Sequence, residues 1–231
     1  MESTEMRQKI VKRIVQVVVT TLIQGVLLFL AAGDLGWVWG WLYIGTYLVG
    51  ILINAVMLFQ ANPAVIAERA DTQGVRGWDM LWGSLAAAVV MIGLPVAGGL
   101  DFRFGWSAQM SQVLHLVGAA VFMIGGIFFA WAMAVNAKFA TIVRVGDESS
   151  HPVAMDGPYR IVRHPGYLGF CFQTLGLPLL LGTWWGYVLS VLGIVFIIIR
   201  TALEDKTLQA ELPGYEKLVQ QTRYRLLPGI W

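Results

Sequence analysis

The chain has 231 residues, 57% of them hydrophobic and only 13% charged, about half the charged share of an ordinary soluble domain. Together with a mean hydropathy of +0.67, this excludes a soluble globule, a disordered chain, a collagen and a disulfide scaffold. A net charge of +2 is too small to imply nucleic acid as a partner, and the single Cys171 cannot form an intrachain disulfide and reads as a buried, inert thiol.

A bilayer core about 30 Å thick needs about 20 apolar residues per helix, so charge-free runs map the membrane segments. They lie at Ile14 to Ala32, Leu35 to Ala67 (spanning part Trp37 to Gln60), Met80 to Leu100, Phe104 to Ala137 (spanning part Ser111 to Asn136) and Pro165 to Ile199. The first four predict single transmembrane helices. The first follows a basic start, as in a signal peptide, but its apolar stretch exceeds the usual length of such a region. It is expected to be a retained anchor.

The fifth run is too long for one crossing, because about 35 helical residues would reach about 52 Å. Gly182, Thr183, Trp184, Trp185 and Gly186 lie at its middle, which predicts a tight helical hairpin. Six membrane segments follow, with both termini on one side. Arg7, Lys9, Lys12 and Arg13, then Arg69 and Arg76, then Lys138, Arg144, Arg160 and Arg163, then Arg200, Lys206, Lys217, Arg223 and Arg225 all fall on that side, and only Arg103 on the other. By the positive-inside rule that side is cytoplasmic. The expected architecture is therefore an all-α, multi-pass integral membrane protein. Residues 1–135 form a four-helix region, and 136–231 carry a long loop, the hairpin and an amphipathic cytoplasmic helix.

Trp37, Trp39, Trp41, Trp106, Trp184 and Trp185 cluster at the expected outer ends, as an interfacial aromatic belt does. Gly118, Gly125 and Gly126 suit close helix packing. His115, near an outer helix end, reads as structural. With His151 and His164 it completes the histidines, and no pair has metal-ligand spacing, so no metal is expected. No glycine-rich nucleotide loop or nucleophile elbow occurs.

The hairpin brings Arg163, His164 and Pro165 at its entrance close to Arg200, Glu204 and Asp205 at its exit. Pro165 suits a first helical position, and the helix start beside Arg163 suits an anionic group. Arg200 and Glu204 are spaced i, i+4 and share a face. Arg200 either snorkels, paired with Glu204, or serves a ligand. Leu203 to Gln221 reads as an amphipathic surface helix interrupted at Pro213-Gly214, with everything beyond Glu211 a solvated tail. Arg223 and Arg225 would contact anionic headgroups.

The stretch HPVAMDGPYRIVRHPGYLG, followed by RTALED, LPGY and YRLLPGIW, resembles the isoprenylcysteine carboxyl methyltransferase family of integral membrane enzymes. The resemblance covers residues 136–231, as a methyltransferase core. It implies transfer of a methyl group from S-adenosyl-L-methionine to a lipophilic acceptor at the cytoplasmic membrane face. Its cofactor contacts fall on His151, Pro152, Val153 and Ala154, on Tyr159, and on His164, Pro165, Gly166 and Tyr167, with Arg163 beside them, and on Glu204. A family glutamine position falls on Arg144, and the acceptor-binding arginine on Arg200. A carboxylate acceptor is ionised at neutral pH and needs alignment rather than a base, whereas an amine would need His151 or His164 to deprotonate it. The expected reaction is carboxyl O-methylation of an isoprenylcysteine-like substrate. Alternatives are phospholipid N-methylation, an NADPH-dependent reduction like that of the membrane sterol reductases, and a noncatalytic membrane scaffold.

Overall fold

A computed structural model describes residues 3–61, 76–136 and 153–231, and every regular element among them is helical. In chain order these are α1 (Ser3–Ala32), α2 (Val38–Ala61), α3 (Gly77–Ala88), α4 (Leu94–Phe104), α5 (Gln112–Val135), α6 (Pro165–Leu181), α7 (Gly186–Glu211) and α8 (Tyr215–Gln221). A widened turn at Val89–Gly93 joins α3 to α4, and a short 3₁₀ turn at Gly157–Arg160 precedes α6. Five helical stretches are long and apolar enough to cross a membrane: Ile10–Ala32, Val38–Ala61, Gly77–Phe104, Gln112–Val135 and Gly186–Glu211. At 17 residues, α6 is shorter than these. The molecule is a multi-pass membrane protein whose outward side chains, Val18, Leu22, Leu52, Leu116 and Val191 among them, are exposed as lipid-facing surface requires.

The long apolar run from Pro165 onward is divided by a turn at residues 182–185. Gly182 ends α6 at φ +77°, a left-handed conformation that glycine adopts without strain. Beyond the turn α7 runs back along α6. Ser190 Oγ donates to the Thr174 carbonyl at 2.7 Å, and Tyr187 donates to that of Leu175 at 3.3 Å.

The closest packing lies between α5 and α6. A Cβ on Gly118 would stand 2.3 Å from the Leu180 nitrogen and 2.8 Å from the Gly176 oxygen, and one on Gly125 2.5 Å from the Gly169 oxygen. Small residues thus let two backbones touch, the usual solution where lipid gives no hydrophobic drive. Gly126 meets only the end of the Gln173 side chain, at 3.2 Å.

The end of the bundle near residue 182 is tied by Asp101, which is buried. It accepts from Ser107 N at 2.7 Å, Ser107 Oγ at 2.6 Å and Thr183 Oγ1 at 2.5 Å. His115 is structural, with Nδ1 2.9 Å from the Leu180 carbonyl and its ring stacked on Trp39. Trp41, Trp106, Trp184 and Trp185 are exposed at this end. Trp37 departs from the expected belt, because it is buried in the core cluster, where the exposed Phe102 ring stacks over it.

Candidate functional site

At the opposite end, the start of α6 meets the last turns of α7. His164 caps α6 and Pro165 occupies its first turn, where a missing N–H costs nothing. Residues 37 and 40 positions apart are brought together here. The Tyr167 hydroxyl donates to Glu204 Oε2, the His164 and Tyr167 rings stack at 5.8 Å, and His164 Nδ1 lies 3.9 Å from Glu204 Oε1. The Glu204 side chain keeps 19% exposure.

Asp205, the next residue on α7, faces inward and is fully buried. Arg163 donates to it through Nε at 2.8 Å and Nη2 at 3.0 Å, Arg225 Nε at 2.8 Å, the Tyr215 hydroxyl at 2.9 Å and Gln209 at 2.6 Å. His164 Nε2 lies 3.3 Å from the same carboxylate. A carboxylate only accepts, so Nε2 is the donor in this contact and Nδ1 is the ring nitrogen turned toward Glu204. Arg163 Nη1 donates to the carbonyls of Thr222 and Arg223, at 3.0 and 2.9 Å. Its guanidinium therefore fixes the surrounding backbone.

Arg200 is buried on α7, one turn before Glu204. Its two-donor edge is turned to Asp79 rather than to Glu204, the pairing weighed from the sequence. Nε and Nη2 donate to Asp79 of α3, at 2.7 and 3.1 Å, and the guanidinium lies over the Tyr167 ring at 5.1 Å. Asp79 carries no signal in a single sequence, because it precedes an apolar run by one residue and meets its partner 121 positions later.

The segment after Glu211 is not the solvated tail expected. Tyr215 and Leu218 of α8 are buried against Ala132, Tyr159, Val153 and Ala154. Beyond α8 the backbone returns to the start of α6, with Arg163 N donating to the Tyr224 carbonyl and His164 N to that of Arg225, both at 2.9 Å. Leu226 then fills the core beside Val162, Cys171 and Ile197. Alternating polar residues concealed this, since the partners that bury Tyr215 lie far away in sequence.

Tyr159 is buried, receives a hydrogen bond from Asn136 at 3.0 Å, and has its carbonyl held by Thr222 at 2.8 Å. Burial pushes the Tyr159 and Tyr215 hydroxyls above their ordinary pKa near 10, and the neighbouring Asp205 adds to this for Tyr215. Gly166 and Pro165 are buried in the first turn of α6. Arg144, His151 and Pro152 lie outside the described residues. Among the described residues no group of three histidine, cysteine or acidic side chains is placed to hold a metal.

A search of proteins of curated function gives no significant match. Residues 113–212, from the start of α5 to the end of α7, match the model of the phospholipid methyltransferase family, and this similarity supports a membrane methyltransferase.

Proposed function

We propose that the chain transfers a methyl group from S-adenosylmethionine to a lipid acceptor, and that the acceptor is an amine of the phospholipid headgroup class. The observation that carries this reading is the family match over the same helices that build the Tyr167, His164 and Glu204 cluster. It favours an amine over the carboxylate expected from the sequence. Basic residues concentrated at the site end support a cytoplasmic site, with both termini on that side.

The residues present fit this methyl donor. Glu204 is a partly exposed acceptor suited to ribose hydroxyls, and Tyr167 holds Glu204 in place. When bound, S-adenosylmethionine supplies a methyl group activated on a sulfonium sulfur. His164 Nδ1, 3.9 Å from Glu204 Oε1, would take the proton that an ammonium acceptor must lose. The free amine would then be the nucleophile for the donor's methyl group, with the neutral thioether as leaving group. Val153, Ala154 and Tyr159 support the site from the α8 side.

Calorimetric titration of the detergent-purified protein with S-adenosylhomocysteine, with NADPH in parallel, tests the reading. Binding of the former that is lost in Glu204→Gln is expected. Binding of NADPH alone would move the reductase reading to first place. Carboxyl methylation remains a second reading because Arg200 lies one turn from Glu204, within contact of Tyr167.

A further inference from the structure

Asp79 lies in the first turn of α3 with its carboxylate fully shielded from solvent. It grips Arg200 by the Nε and Nη2 edge at 2.7 and 3.1 Å. Two more surfaces of the same guanidinium are committed to protein. A Cβ added to Gly83 would stand 3.0 Å from Nη1 and 3.1 Å from Cζ, so the guanidinium rests against the α3 backbone, and its face covers the Tyr167 ring at 5.1 Å. A carboxylate ligand is recognised by arginine through two parallel N–H donors. At this site an internal carboxylate already holds such a pair.

We propose that Asp79 selects the acceptor class: by engaging the two-donor edge of Arg200 it disfavours carboxylate acceptors and presents a lipid amine with a neutral ion pair instead of a bare cation. The inference rests on the methyltransferase reading above and deepens it. A protonated amine approaching an uncompensated guanidinium would meet like charge at low dielectric. The Asp79 carboxylate cancels that field while keeping the Arg200 plane against Tyr167. Selectivity here is built by denying the wrong ligand its partner, in addition to contacts that suit the right one. Asp79 acts through Arg200 and is a positioning residue.

The test offers wild-type and Asp79→Asn protein phosphatidylethanolamine and N-acetyl-S-farnesylcysteine, in mixed micelles at equal mole fraction. S-adenosylhomocysteine is titrated into each protein, and the Tm is read with and without S-farnesylthioacetate as a non-reacting carboxylate. Wild type is expected to favour the amine by about tenfold or more, and Asp79→Asn to lower that ratio by about tenfold. S-farnesylthioacetate is expected to raise the Tm of Asp79→Asn only. An unchanged ratio in a variant that still binds S-adenosylhomocysteine overturns the role of Asp79 alone. A wild-type protein that methylates both acceptors equally also overturns it, and this result needs no variant to fold. A wild-type protein that binds S-adenosylhomocysteine but methylates neither acceptor overturns the proposed function and the selector together.

Discussion

Arg163 clasps Asp205 through two nitrogens, at 2.8 and 3.0 Å, in a pair with side chains 5% and 0% exposed. The pair joins the entrance of α6 to the exit of α7, and Arg225, Tyr215 and Gln209 complete the shell. Removing one partner of a buried ion pair strands the other's charge, at a cost of about 3–5 kcal/mol. Asp205→Ala is therefore expected to lower the thermal midpoint sharply, while an exposed-pair variant such as Asp156→Ala leaves it within about 0.5 kcal/mol of wild type. Thermal unfolding of both in one detergent checks this, and equal midpoints would sink the assignment of Asp205 as the hub.

Tyr167 does two things, and two variants separate them. Tyr167→Phe keeps the ring beneath Arg200 but loses the hydroxyl that holds Glu204. Hydrogen bonds to charged groups contribute about 1.5–3 kcal/mol, so affinity for S-adenosylhomocysteine is expected to fall about tenfold or more. Tyr167→Ala also uncovers Arg200 and should cost more. Calorimetric Kd values that match between wild type and Tyr167→Phe would refute the role of the hydroxyl.

The glycines of α5 are not equivalent. Gly125→Ala places a methyl 2.5 Å from a backbone oxygen, whereas Gly126→Ala meets only the tip of Gln173. Overpacking costs about 1–3 kcal/mol, so the first is expected to lower the midpoint clearly and the second to be tolerated. Melting curves that rank them the other way would contradict the packing described.

The buried Tyr159 and Tyr215 hydroxyls give stability an alkaline limb. Both have pKa values raised above the ordinary 10, so above that pH the unfolded chain loses protons that the folded one keeps. Their contribution is complete below pH 10 and is lost as pH rises toward the folded-state values, by up to about 1.4 kcal/mol per pH unit for each group. Unfolding midpoints against pH should bend downward above about 10, and Tyr215→Phe should flatten the bend. A limb unaltered by that variant would show that Tyr215 does not contribute to it.

Hydropathy alone located most of the helices, because lipid imposes a length and an apolar content that few other environments demand. The motif around His164 and the RTALED stretch pointed to the same cluster that the structure assembles. The pairing of the carboxylates that organise it was less legible. Glu204 followed from motif position, but the partnership of Asp79 with Arg200 spans 121 positions. The inward aim of Asp205 depends on Tyr215 and Arg225, in a segment whose sequence reads as a polar tail. Trp37 was misplaced for a similar reason, since a tryptophan at a helix start suits a headgroup belt or a core equally well until Phe102 is seen beneath it.

The glycine contacts between α5 and α6 also have a mechanical meaning. Where two backbones meet without intervening side chains, nothing can change rotamer to relieve a load, so these two helices form the stiff wall of the site. Helix α7 meets α6 through side-chain tips such as Ser190 Oγ. Arg200 and Glu204 ride on α7, opposite His164 and Tyr167 on the stiff wall, and the Arg163–Asp205 pair ties the two together at that end.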